Sequence, residues 1–226
     1  MKKIGLYVLA FLAVSAMLAT TLASAEKVTD DTDDVWHWTW NTGLGKFSWA
    51  KSTTSKPNID ITELSYTVEG GQAILKMKVK GEIENSEKVA YIVYYNTTDT
   101  NYWMSYSNGT GFCMATSGTS MAWGNVTVSG DTITATVNLV STGTESEFWG
   151  YAAEYTKIGD TSAEWWGDWA PQEESPWYEG DGGDGGDGGE DGENGDGDGG
   201  GGIPGFEGAV LCISIVIAFV ILRRRK

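Results

Sequence analysis

Apolar and polar residues alternate along much of this chain with a period of two. Ala73, Leu75, Met77 and Val79 alternate with Lys76, Lys78 and Lys80. Successive side chains of a strand point to opposite faces, so this segment is expected to be a half-buried strand with one wet side. Gly70-Gly71 separates it from Ile59 to Val68, which predicts a hairpin. Thr132 to Val140 repeats the pattern, with Ile133, Ala135, Val137 and Leu139 on one face and Thr132, Thr134, Thr136 and Asn138 on the other. Further strands are expected at Val89 to Tyr95, Tyr102 to Tyr106, Phe112 to Ala115, Met121 to Val128 and Glu147 to Tyr155. Turn signals fall at Asn85-Ser86, Asn108-Gly109, Ser117-Gly118 and Gly130-Asp131. No stretch of this region has the spacing of an amphipathic helix. The expectation is an all-β domain, an antiparallel sandwich or jelly roll of about eight to ten strands.

The two ends break the period-two pattern. Met1-Lys2-Lys3, the apolar run Ile4 to Leu22 and the small residues Ala23-Ser24-Ala25 have the order of a secretory signal cleaved before Glu26. At the other end, Ala209 to Leu222 carries no charge and Arg223-Arg224-Arg225-Lys226 follows. Ala209 to Leu222 alone would span about 21 Å as a helix, and a start at Ile203 makes the segment long enough for a hydrocarbon core of about 30 Å. The basic cluster would stay in the cytoplasm, which puts the intervening domain outside. The divisions are therefore a signal peptide over 1–25, a domain over 26–171, a tether over 172–202 and a membrane-associated tail over 203–226.

That tail resembles the PGF-CTERM sorting signal of archaeal surface proteins. The likeness rests on Pro204-Gly205-Phe206, the apolar helix after it and the terminal cluster of Arg223, Arg224 and Arg225. It implies recognition by an archaeosortase, removal of the tail near the triplet and attachment to a membrane lipid. The expected location is the outer cell surface, facing an S-layer or the medium.

Composition adds the tether and removes several functions. Gly180 to Gly202 is almost entirely Gly, Asp and Glu, too poor in apolar surface to offset the entropy of ordering. About 30 such residues span roughly 30 Å as a coil. The Asp repeats lack the aliphatic residue that a calcium-binding β-roll requires. The formal net charge of −16 opposes any approach to nucleic-acid phosphates. Only Cys113 lies in the domain, the other cysteine, Cys212, being in the tail, so there is no disulfide framework. Cys113 is expected to be a small buried hydrophobe.

The tryptophans, 11 in the chain and all but Trp177 in the domain, are its most distinctive feature. Trp36, Trp38 and Trp40 share one face if their segment is a strand, and such a row can stack against sugar rings or pack into a core. Trp165, Trp166 and Trp169 lie in a Gly/Asp-punctuated segment and are expected to be exposed. The order of Asp60-Ile61, the lysine-alternating strand, Val89 to Tyr95 and Trp166-Gly167-Asp168-Trp169-Ala170-Pro171 resembles the DOMON and related sugar-binding sandwiches. That likeness implies a ligand-binding sandwich. Some DOMON domains hold haem through Met and His, and His37 with Met77, Met104, Met114 or Met121 would be the pairs to consider here.

His37 is the only histidine, so multi-histidine zinc sites are excluded and no metal site is expected. Asp60, Glu63, Glu147, Glu154 and Asp168 are available for glycoside hydrolysis, yet no pair stands out, and most acids are expected to be solvated. No catalytic residue and no cofactor is assigned. Asn96, Asn108 and Asn125 open N-glycosylation sequons, the first two in expected turns. The reading is a surface-anchored, non-catalytic module that binds glycan or the S-layer through exposed aromatics. A structural envelope component without a discrete ligand, a haem-binding redox module and a small hydrolase are the alternatives. The mature protein from its native membrane is expected to lack residues 1–25 and the apolar tail and to carry lipid mass. Pro204→Ala and Phe206→Ala variants should retain the tail in an intact-mass spectrum.

Overall fold

The structure is a computed structural model that describes residues 25–175, apart from 44, 158, 159, 161, 173 and 174. All of the signal segment except Ala25, nearly all of the tether and the whole sorting tail lie outside the described residues. Among the described residues the fold is all-β, with no helix. The first strands are β1 (Ala25–Thr29), β2 (Trp36–Asn41), β3 (Lys46–Lys51), β4 (Ile61–Glu69), β5 (Gln72–Val79) and β6 (Val89–Thr97). Then come β7 (Asn101–Ser107), β8 (Thr110–Ser117), β9 (Ser120–Trp123) and β10 (Asn125–Ser129). The chain continues through β11 (Thr132–Asn138), β12 (Glu145–Tyr155) and β13 (Trp165–Ala170). They form two antiparallel sheets, a five-stranded one ordered β1-β4-β5-β11-β10 and an eight-stranded one ordered β3-β2-β13-β12-β6-β7-β8-β9.

The hairpins follow from turn chemistry. Gly70 and Gly71 both have positive φ, 56° and 78°, between Glu69 and its partner Gln72. Two left-handed residues in a row match the twist of the flanking strands, and glycine adopts them without strain. Asn108-Gly109 does the same between Ser107 and Thr110, with φ of 49° and 70°.

Alternation then sets the core. Ala73, Leu75, Met77 and Val79 are fully buried while Lys76 and Lys78 are exposed, and Ile133, Ala135 and Val137 point inward from β11. Facing them across the layers are Val89, Tyr91, Val93 and Tyr95 of β6, Tyr102 and Met104 of β7, and Cys113 and Ala115 of β8. The tyrosines reach polar partners at the rim. Tyr91 Oη donates to the Asn58 carbonyl at 2.9 Å and accepts from the Glu84 N–H at 2.9 Å, so its burial leaves no orphaned hydroxyl. Burial pushes the Cys113 thiol up to about 12, which keeps it protonated and inert.

There are thirteen strands rather than about eight to ten. The extra ones are short or lie at the domain ends, as with β1, β3 and β13. The expected single strand from Met121 to Val128 is two strands in different sheets, β9 and β10. They part at Gly124, whose N–H donates to the Cys113 carbonyl at 2.9 Å. A Cβ there would fall 2.5 Å from the Thr136 carbonyl oxygen and 2.8 Å from Val137 Cβ. The sheet change therefore needs a residue without a side chain. Gly124→Ala is expected to destabilise the domain by about 1–3 kcal/mol, read as a lower urea midpoint with an unchanged slope.

Candidate functional site: an aromatic sheet face

The eight-stranded sheet has one face toward the five-stranded sheet and another turned away from it. On most sheets of this kind the outer face would be polar. Here it is aromatic. In β6, β7, β8, β12 and β13 the core takes one set of alternating residues, which leaves Ile92, Tyr94, Trp103, Phe112, Trp149, Tyr151, Tyr155, Trp165 and Trp169 pointing outward. Trp36, Trp38, Trp40, Phe47 and Trp49 extend the same face across β2 and β3. Trp123 extends it across β9, directly opposite Met114.

The rings touch one another in an unbroken series. Trp123 meets Phe112 at 5.1 Å, Phe112 meets Trp103 at 5.1 Å, and Trp103 stacks on Tyr94 at 5.9 Å. Tyr94 meets Trp149 at 4.4 Å, and Trp149 stacks on Trp169 at 4.5 Å. Trp169 then meets Tyr151 at 5.3 Å, and Tyr151 meets Trp165 at 6.4 Å in an edge contact. The series ends where Trp165 stacks on Trp38 at 3.8 Å, with their planes 2° apart. It runs from β9 to β2, six strand spacings or about 29 Å across the sheet. Offset and edge arrangements of this kind add about 0.5–1.5 kcal/mol per pair beyond area burial. Gly167 leaves the room this needs, since a Cβ there would lie 2.9 Å from the Trp165 ring and 3.1 Å from that of Tyr151.

Exposure is uneven along the series. Trp123 (58%) and Trp49 (44%) are open, whereas Trp38 (1%) and Trp165 (3%) are closed off. Glu147 is the one charged outward residue among those described between β13 and β8. It accepts hydrogen bonds from Trp149 Nε1 at 2.7 Å and Asn96 Nδ2 at 2.6 Å.

The expected site residues are therefore only partly brought together. Trp36, Trp38, Trp40 and Trp169 lie on the aromatic face, Trp169 half-buried between Trp149 and Tyr151 and not exposed as expected. Trp165 also lies there but is buried rather than exposed, because Trp38 stacks on it and Tyr155 lies against it at 5.8 Å. Trp166 points to the opposite side, where His37 stacks on it at 4.5 Å and Lys56 Nζ sits 4.0 Å over its ring. It is partly buried against the core, so the exposure expected for it is not observed. Trp49, Trp103, Trp123 and Trp149 belong to the face but are not among the binding residues expected from the sequence. The register that aligns them comes from strands far apart in the chain.

The other candidates are placed as follows. His37 Nε2 lies 2.6 Å from Glu164 Oε1. In the sheet order β2 is separated from β7 by β13, β12 and β6, so His37 and Met104 are about 19 Å apart. Met114 and Met121 are farther still, which excludes a haem shared between His37 and any of these three. Met77 is fully buried in the facing sheet. Asp60 and Asp168 are buried, not solvated, because each accepts backbone N–H groups. Asp60 takes that of Asp33, and Asp168 takes those of Ile61 and Trp169. Glu63 pairs with Lys27, and Glu154 with Lys56. Asn108 sits in an exposed turn and Asn125 on an exposed strand end, but Asn96 lies within β6, not in a turn.

Comparison with known protein families, with curated proteins and with solved structures returns no match. The stacked indoles of Trp38 and Trp165 should give an exciton couplet in the circular dichroism spectrum. Trp165→Phe is expected to diminish it, while Trp123→Phe at the open end should leave it nearly intact.

Proposed function

We propose that this chain is a surface-anchored, non-catalytic β-sandwich that binds neutral glycans on the aromatic face of its larger sheet. The observation that carries this reading is the continuous series of ring contacts from Trp123 to Trp38. A sugar ring presents a flat C–H face that stacks on an indole, and its hydroxyl groups stay hydrated or bond to polar groups at the rim. Large aromatic surface on a protein's exterior marks a contact site. The scarcity of charge on this face favours an uncharged partner, and the acidic domain repels anionic polymers.

In this reading the activity belongs at the cell envelope, with the tail handed to an archaeosortase and a membrane lipid and the domain facing the S-layer. It is supported by the signal-like start of the chain and by the likeness of Pro204-Gly205-Phe206 and the residues after it to a sorting tail. No catalytic role is included. Each acid considered for hydrolysis already has a structural partner, and between β13 and β8 the described residues of the aromatic face offer the single carboxylate of Glu147.

Affinity electrophoresis in gels containing neutral polysaccharides tests the binding. The protein should be retarded by at least one of them. Trp123→Ala and Trp49→Ala each remove an open ring worth about 1–2 kcal/mol, or about 5- to 30-fold in Kd. Both variants should stay folded, since those rings are outside the core. Equal mobility of wild type and variants on every polymer would favour the structural envelope component instead.

A further inference from the structure

Three carboxylates meet where the chain passes from the smaller sheet to the larger one. Asp30 and Asp34 lie in the link between β1 and β2, and Asp168 lies on β13. One oxygen of each falls within 4.8 Å of the others. Opposite ligands of a calcium ion stand about 4.6–5.2 Å apart, twice the usual Ca–O distance. The three oxygens thus converge on a volume of that size.

An acidic cluster on a wet surface would need no further explanation, but this one is drawn inward, with Asp168 buried and Asp30 and Asp34 half-buried. Asp168 is 0% exposed, and among the described residues no Lys, Arg or His forms an ion pair with Asp168 or Asp34. Asp34 Oδ1 is shut off from solvent and has no hydrogen-bond partner. Beside it, Asp60 is 2% exposed, and its Oδ1 is buried and unpartnered as well. Asp60 acts electrostatically on Asp34, and burial raises the Asp34 carboxyl to about 6. The other oxygen of Asp60 is occupied, accepting from the Asp33 N–H at 3.0 Å and facing Lys80 at 3.7 Å. Buried anionic oxygens without donors are strongly unfavourable, and a divalent cation between them supplies the missing charge.

We propose that Asp30, Asp34 and Asp168, with Asp60 beside them, form a calcium site that fastens the β1–β2 link to β13. All the donors are oxygen, which suits a hard cation and not zinc. Carboxylates drawn inward in this way suit calcium better than magnesium, which gives up its water reluctantly. The site is separate from the aromatic face and does not depend on what that face binds. It acts on the face indirectly, because Asp168 shares its strand with Trp165 and Trp169.

The test uses the full chain, stripped with EGTA and then titrated with calcium chloride or magnesium chloride. Saturating calcium should raise the thermal midpoint by roughly 5–10 °C, and equal magnesium should raise it by much less. Terbium should give tryptophan-sensitised emission that calcium displaces. Asp34→Asn keeps the shape of the side chain and should abolish most of the calcium-induced shift. Diffuse ion attraction by the acidic tether would survive that substitution. Equal shifts in wild type and Asp34→Asn, equal shifts with the two cations, or no shift with calcium would each overturn the proposal. Should Asp34→Asn fail to fold, the wild-type comparison of calcium with magnesium still decides.

Discussion

An eight-stranded sheet that is apolar on both faces must bury both, and its neighbour here covers only one. That mismatch governs the rest of the molecule. The five-stranded sheet accounts for the aliphatic and tyrosine core, and its alternation of Leu and Val with Lys and Thr is that of a sheet wetted on its outer side. The central strands of the larger sheet have no such alternation. β6 and β12 read as nearly continuous apolar runs, because both sets of side chains are occupied. The outer set solves its problem with large rings that cover one another, and it leaves the Trp123 end of the series in water.

The hairpins, the lysine-bearing strand and the all-β class were legible because they depend on neighbours in sequence. The Gly70-Gly71 turn and the 73–79 alternation each carry their own geometry. The sheet change at Gly124 was not legible, since a single glycine between two apolar strands also reads as one continuous strand. Its reason is the Thr136 carbonyl, which lies too close for any Cβ. Trp36, Trp38 and Trp40 were readable as a row for the same local reason. The rest of the face was not, because Trp103 and Trp149 meet through Tyr94 of a third strand.

Asp168 illustrates the opposite error. Its surroundings of Gly and Trp suggest an open terminal segment, and among 31 acidic residues it has no distinguishing mark. In the fold it crosses the layers to accept the Ile61 N–H at 2.6 Å. This contact joins the two sheets at the point where the first link also arrives. A buried carboxylate in a charge-rich chain is recognisable only from its partners, and the one that ties Asp168 across the layers, Ile61, lies over a hundred residues away in sequence.

The position of β13 has a mechanical consequence. The last strand of a domain often lies on a sheet edge, where tension peels its hydrogen bonds one after another. β13 instead runs between β12 and β2, bonded on both sides. A pull on its C-terminal end loads both ladders in shear, so the bonds must yield together and not in turn. A domain held at that end against flow would resist extraction through this strand, and its weakest point under load would lie elsewhere in the fold.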